Sequence, residues 1–151
     1  MKKLLSSLAR CESGTAAMEA VIVMPIAITL MAGGVEFGRI ISAHSTADKA
    51  LHAAARYLAR VPETAVCGWG LPIAKNIAVY GKTTNTGAPL IPGMTPAHVT
   101  LTIPDCAAAL PDPLVIELSA AVPFSLDMLS AINFSNSYTL NVKHQERHIG
   151  E

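Results

Sequence analysis

Glu19 is the residue of this chain whose setting most invites a chemical role. It stands at the start of a stretch, Ala20 to Val35, that contains no other charge. A carboxylate next to lipid is costly, so such an acid either works there or sits at headgroup level within reach of water. Both readings stay open from the sequence. The cysteines divide around the same stretch: Cys11 precedes it, and Cys67 and Cys106 follow it. If the stretch spans a membrane, Cys67 and Cys106 share the non-cytoplasmic side. In an oxidising periplasm they can pair, closing a loop of roughly 40 residues and stabilising the fold by ~3–4 kcal/mol. The alternative is two unpaired thiols. Among His44, His52, His98, His144 and His148, the pair His144 and His148 has the spacing that shares one face of a helix. The residues before them alternate as a strand does, and no third ligand is adjacent. A solvated tail is therefore expected there, and no metal site.

Other chemistry is missing from the pattern. There is no nucleophile elbow, phosphate-cradling glycine loop, dinucleotide-binding motif or zincin motif. No acid, base and nucleophile set is displayed, so no enzyme, no cofactor and no small-molecule substrate is expected. The remaining catalytic option is a hydrolase using Cys67 or Cys106 with a histidine. Eleven basic and eleven acidic side chains give zero formal net charge, which leaves no electrostatic footprint for nucleic acid. Hydrophobic residues make up 51% and charged residues 15%, a balance that fits a small domain plus a membrane span.

The elements that must position these residues follow from periodicity. Met1 to Gly14 forms a basic leader, with Lys2, Lys3 and Arg10 against Glu12; such residues hold their end in the cytoplasm. The apolar stretch, taken from about residue 16 to 35, is long enough for a helix of roughly 30 Å, a bilayer core. Pro25 is tolerated in such a helix. Gly34 and Gly38 form a G-x-x-x-G step, which either lets helices approach closely or is ordinary glycine usage in a membrane helix. Glu36 and Arg39 are three apart and can pair on the helix surface. Beyond the span, Phe37, Ile40, His44, Ala47, Leu51, Ala54, Leu58 and Val61 recur at steps of three and four, a helical apolar stripe. On this stripe His44 is expected to be packed or hydrogen-bonded. Pro62 should stop the helix near Val61.

Three units are expected: a leader (1–14), a long helix (15–61) and a head (62–151). In the head, Leu71 to Tyr80 reads as a helix with Ile73, Ile77 and Tyr80 on one face, ended by Gly81. Trp69 is expected to pack over the domain. Gly81 to Pro96 is rich in turn residues and reads as a loop. Three runs alternate: His98 to Ile103, Leu114 to Val122, and Tyr138 to Val142. Phe124 to Phe134 reads as a helical turn or two. The fold class is α+β, a long N-terminal helix feeding a small antiparallel-sheet head.

Gly14, followed by Thr15 and then by Glu19, lies between a basic leader and an apolar helix, and this resembles the processing site of type IV prepilins and pseudopilins. Together with Pro25, the V-E-F-G of Val35 to Gly38, and Ala50, Ala53, Ala54, Ala55 and Arg56, it resembles the TadE-like family, pseudopilin-like proteins of the tight-adherence (Flp-type) pilus assembly system. The resemblance implies a pilin-like architecture in the bacterial inner membrane, single-pass, with the N-terminus cytoplasmic and the head periplasmic. It implies cleavage after Gly14 by a prepilin peptidase and contact of Glu19 with the free N-terminal amine of a neighbouring subunit. Its implied partners are the membrane, that peptidase, other pseudopilins and pilus secretion components. The competing expectation is an uncleaved single-span protein with a periplasmic binding head unrelated to pili.

Overall fold

The computed structural model of the chain describes residues 12–102, 113–127 and 137–150. Helix α1 runs from Glu12 to Leu58 without a break, through Pro25. Proline removes one helical donor. One turn on, the Thr29 hydroxyl donates to the Pro25 carbonyl at 2.8 Å, a local bond that is well tolerated in apolar helices.

Residues 14–31 of α1 are exposed throughout, and its second half carries the head. The covered face runs through Glu36, Ile40, Ala43, Ala47, Leu51, Ala54 and Leu58. Of the expected apolar stripe, Ile40, Ala47, Leu51, Ala54, Leu58 and Val61 are covered, whereas Phe37 and His44 are not. Phe37 is 64% exposed and His44 is exposed. Glu36 and Ala43 take their places, one residue away and so about 100° around the helix. Sequence hydrophobicity favoured Phe37 over an acid. The head, which meets this part of the helix from one side only, selects the Glu36 side.

Beyond Leu58, Ala59 still donates to the Ala55 carbonyl at 2.8 Å. The C-terminal tail then satisfies carbonyls that a helix end leaves unpaired. Ile149 and Gly150 both donate to the Ala59 carbonyl, at 2.9 and 3.0 Å. The His148 Nε2 donates to the Val61 carbonyl at 2.8 Å. A Cβ on Gly150 would collide with the Val61 carbonyl oxygen, so glycine is what lets the tail approach. The tail expected to be solvated is thus docked on the end of α1.

The connector holds a short helix, α2 (Glu63–Val66), with Ala65 and Val66 buried. Helix α3 (Gly70–Tyr80) follows, and Gly81 ends it at φ 66°, a left-handed position that glycine adopts without strain. The buried face of α3 is Gly70, Ala74, Ala78 and Val79, with Ile77 and Tyr80 half-buried beside it. The expected face centred on Ile73 is rotated because small residues let α3 lie close against its neighbours. Trp69 is 59% exposed, not packed over the domain. The turn-rich segment after Gly81 is a loop that buries Ile91 and Met94; a 3-10 turn, Pro96–His98, leads out of it.

Three strands close the head: β1 (Val99–Thr102), β2 (Val115–Ser125) and β3 (Ser137–Arg147). Their order is β1-β2-β3, antiparallel throughout. Val99, Ile116, Leu118, Ala120, Val122, Leu140 and Val142 lie on one face and are buried against the helices. The other face is polar: Thr100 and Ser119 hydroxyls meet at 2.7 Å, and the Gln145 amide donates to Glu117 at 2.6 Å. All three strands were legible as alternation. β3 runs five residues past Val142, because the Lys143–Arg147 segment is polar and hid its continuation. Phe124 and Ser125 belong to β2, not to a helical turn. Asp127, within that expected turn, is helical; residues 128–134 of it, and the segment carrying Cys106, lie outside the described residues. The architecture is α+β, a long apolar helix followed by a three-stranded antiparallel sheet.

Candidate functional site

The free half of α1 is apolar on every side. Met18, Val21, Ile22, Val23, Met24, Ile26, Ile28, Leu30 and Met31 are all exposed. A helix apolar all round belongs inside a core or a membrane, and no core covers this one: the apolar window is only 6% buried. By length and composition this helix can cross a bilayer.

Gly14, Thr15 and Glu19 all lie in α1 near its start and are exposed. Gly34 and Gly38 lie at the far end of the apolar half, also exposed. A Cβ at Gly14, Gly33, Gly34 or Gly38 would meet nothing within 4 Å. Inside a helix each glycine costs about 1 kcal/mol relative to alanine. Packing among the described residues therefore gives no reason for glycine at these positions.

Where the apolar half of α1 meets the head, a charged joint forms. The Arg39 guanidinium donates Nη1 to both Glu36 carboxylate oxygens, at 3.1 and 2.9 Å. Its Nη2 donates to Asp127 Oδ2 at 3.1 Å. The same guanidinium lies 5.4 Å from the centre of the Phe124 ring, within range of a cation–π contact. Glu36 is 1% exposed, whereas Arg39 and Asp127 stay open to solvent on one side. A hydrogen bond from Ser125, with a further one from Arg39, holds the Asp127 carboxyl below its ordinary pKa. The sequence spacing pointed to the Glu36–Arg39 pair but not to its burial. Asp127 and Phe124 were missed, because only the fold brings β2 to this turn of α1. Beside the joint lies an open groove of about 330 Å³, lined by Ala43, Thr46, Ile91 and Phe124 among others. Among the described residues, neither histidine nor cysteine lines it. The joint can orient the head on the rod and the groove can seat an apolar side chain; neither offers a nucleophile–base pair.

Cys67 is half-buried just after α2. Cys106 falls outside the described residues. His144 lies in β3 and His148 just beyond it, so the two do not share a helix face. His144 approaches Glu146 on the same strand and His52 on α1, with the two imidazole centroids 4.5 Å apart. Nothing in the local sequence could announce that meeting, since His52 and His144 come from different elements.

No curated protein and no solved structure matches the chain. One family model does match, and it stops inside α1, so the head lies outside it. The matching model is that of the TadE-like protein family, over residues 14–56, and the rod that carries Gly14, Glu19, Gly34 and Gly38 is therefore a TadE-like segment.

Proposed function

We propose that this protein is a TadE-like pseudopilin, a membrane-anchored structural and assembly component of Flp-type pilus biogenesis. In this reading residues 1–14 are a leader, 15–61 the anchoring rod and 62–151 a periplasmic head. Prepilin peptidase removes the leader after Gly14, so the mature chain starts at Thr15 in the inner membrane. Glu19 then meets the new N-terminal amine of a neighbouring subunit, a pairing that offsets the cost of a carboxylate at the membrane. Gly34 and Gly38 let a neighbouring helix approach closely. Cys67 and Cys106 bridge the head. The protein works by contact with other pseudopilins and secretion components, and not by catalysis.

The observation that carries this reading is the TadE-like match over a helix whose apolar half is exposed on every side. The glycines that the chain's own packing does not require support it further. The test is complementation of pilus assembly in a strain lacking the gene. The deletion strain is expected to lose filaments, and the wild-type chain to restore them. Glu19→Gln should insert in the membrane at normal levels and restore few or none. Intact filaments in the deletion strain would contradict the proposal and favour the alternative, an uncleaved single-span protein with a periplasmic binding head.

A further inference from the structure

We propose that His52, His144 and Glu146 form a binding site for a divalent transition metal of the zinc class, which clamps the rod to the edge of the sheet. In the antiparallel register His144 pairs with Leu118 and Glu146 with Ile116. Leu118 and Ile116 are fully buried on the face that packs against the helices. Directly cross-strand residues share a face, so β3 places a histidine and a glutamate on its core side, in line with buried Leu140 and Val142. There they meet His52 of α1.

The ligand atoms converge. The His144 Nε2 lies 3.4 Å and the His52 Nε2 4.0 Å from the same oxygen, Glu146 Oε2. One ligand atom from each of the three residues lies within 4.8 Å of the others. Zinc–nitrogen and zinc–oxygen bonds of about 2.0–2.2 Å set a tetrahedral edge of roughly 3.3–3.5 Å. One observed edge has that length, the second needs to close by about half an ångström, and the third, between the two imidazoles, lies within 4.8 Å and must close as well. Two imidazoles and one carboxylate are a donor set that zinc accepts with water as the fourth ligand. His144 and Glu146 are about one-quarter and one-third exposed, and His52 about half, so a metal can enter from solvent. The competing account is that polar residues on the inner face of an edge strand serve only to block sheet-to-sheet pairing.

The experiment titrates the full chain in detergent micelles with Zn²⁺ alone, read by competition with a chromogenic chelator. The proposal expects one saturable zinc per chain. His52→Ala should bind at least about tenfold more weakly, and so should Glu146→Gln. His44→Ala, which alters an exposed histidine outside the cluster, should bind as the wild type does. His52 sits at a half-exposed position, so its replacement leaves the fold intact and the result interpretable. Co²⁺ in place of zinc should give the visible absorption of a four-coordinate site in the wild type and lose it in His52→Ala. Absence of saturable zinc binding, or binding that His52→Ala and Glu146→Gln leave unchanged, would overturn the proposal.

Discussion

Arg39 is the residue on which the attachment of head to rod turns. Its guanidinium reaches a buried carboxylate on its own helix and an exposed one on the head. Breaking a buried ion pair costs up to about 3–5 kcal/mol; because Arg39 is 40% exposed, solvent screening lowers the expectation for Arg39→Ala to about 1–3 kcal/mol. Denaturant unfolding in micelles checks this, and Asp127→Asn should cost less than Arg39→Ala. Acid sensitivity belongs to the same scale. The Glu117 carboxyl is held below its ordinary 4.5, first by the Gln145 hydrogen bond and then by Lys143. Asp127 is held below 3.8, first by Ser125 and then by Arg39. Lowered values in the folded state mean stability that is complete above these ordinary values and is lost as pH falls through the folded ones. Unfolding midpoints should therefore be flat for these groups from neutral pH down to about 5 and fall below about 4. Glu117→Gln should make that acid limb shallower; an unchanged limb would remove Glu117 from it.

At the scale of elements, glycines separate internal packing from external contact. A Cβ at Gly70 would stand 2.7 Å from the Ala65 carbonyl oxygen, so Gly70→Ala should destabilise the head by about 1–3 kcal/mol. Gly34→Ala meets nothing and should leave the isolated protein as stable or gain up to about 1 kcal/mol of helix propensity. If Gly34 packs against a neighbouring subunit, the same variant should assemble poorly in cells. Thermal unfolding and filament counts on the two variants together check this pair of outcomes. The elements themselves were largely legible in the sequence. The long helix, α3 with its Gly81 stop, and three alternating strands follow from local periodicity. What local pattern could not supply was rotation and reach. Glu36 is buried in place of Phe37 because the head covers one side of α1. β3 extends through polar Lys143–Arg147 because pairing with β2 continues there. The His52–His144–Glu146 cluster and the Arg39–Asp127 contact depend on elements far apart in sequence, and no single-segment pattern announces them.

At the scale of the molecule, the chain divides its apolar surface between a core and an uncovered helix half. The second half of α1 buries alanines and leucines against the head, and the first half presents apolar side chains outward on all sides. The head is tied to the rod at both ends of the contact. Arg39 holds one end, and the C-terminal tail on Ala59 and Val61 holds the other. A rod fixed this firmly to its head suits the proposed role of holding partners at a membrane. The most direct test of that role is the N-terminus and intact mass of the membrane-bound protein, from cells with and without prepilin peptidase. A chain that begins at Thr15 in the first and at Met1 in the second is the predicted result. An unprocessed chain in both would contradict the pseudopilin account, and a cut beyond Gly34 would contradict the membrane anchor itself.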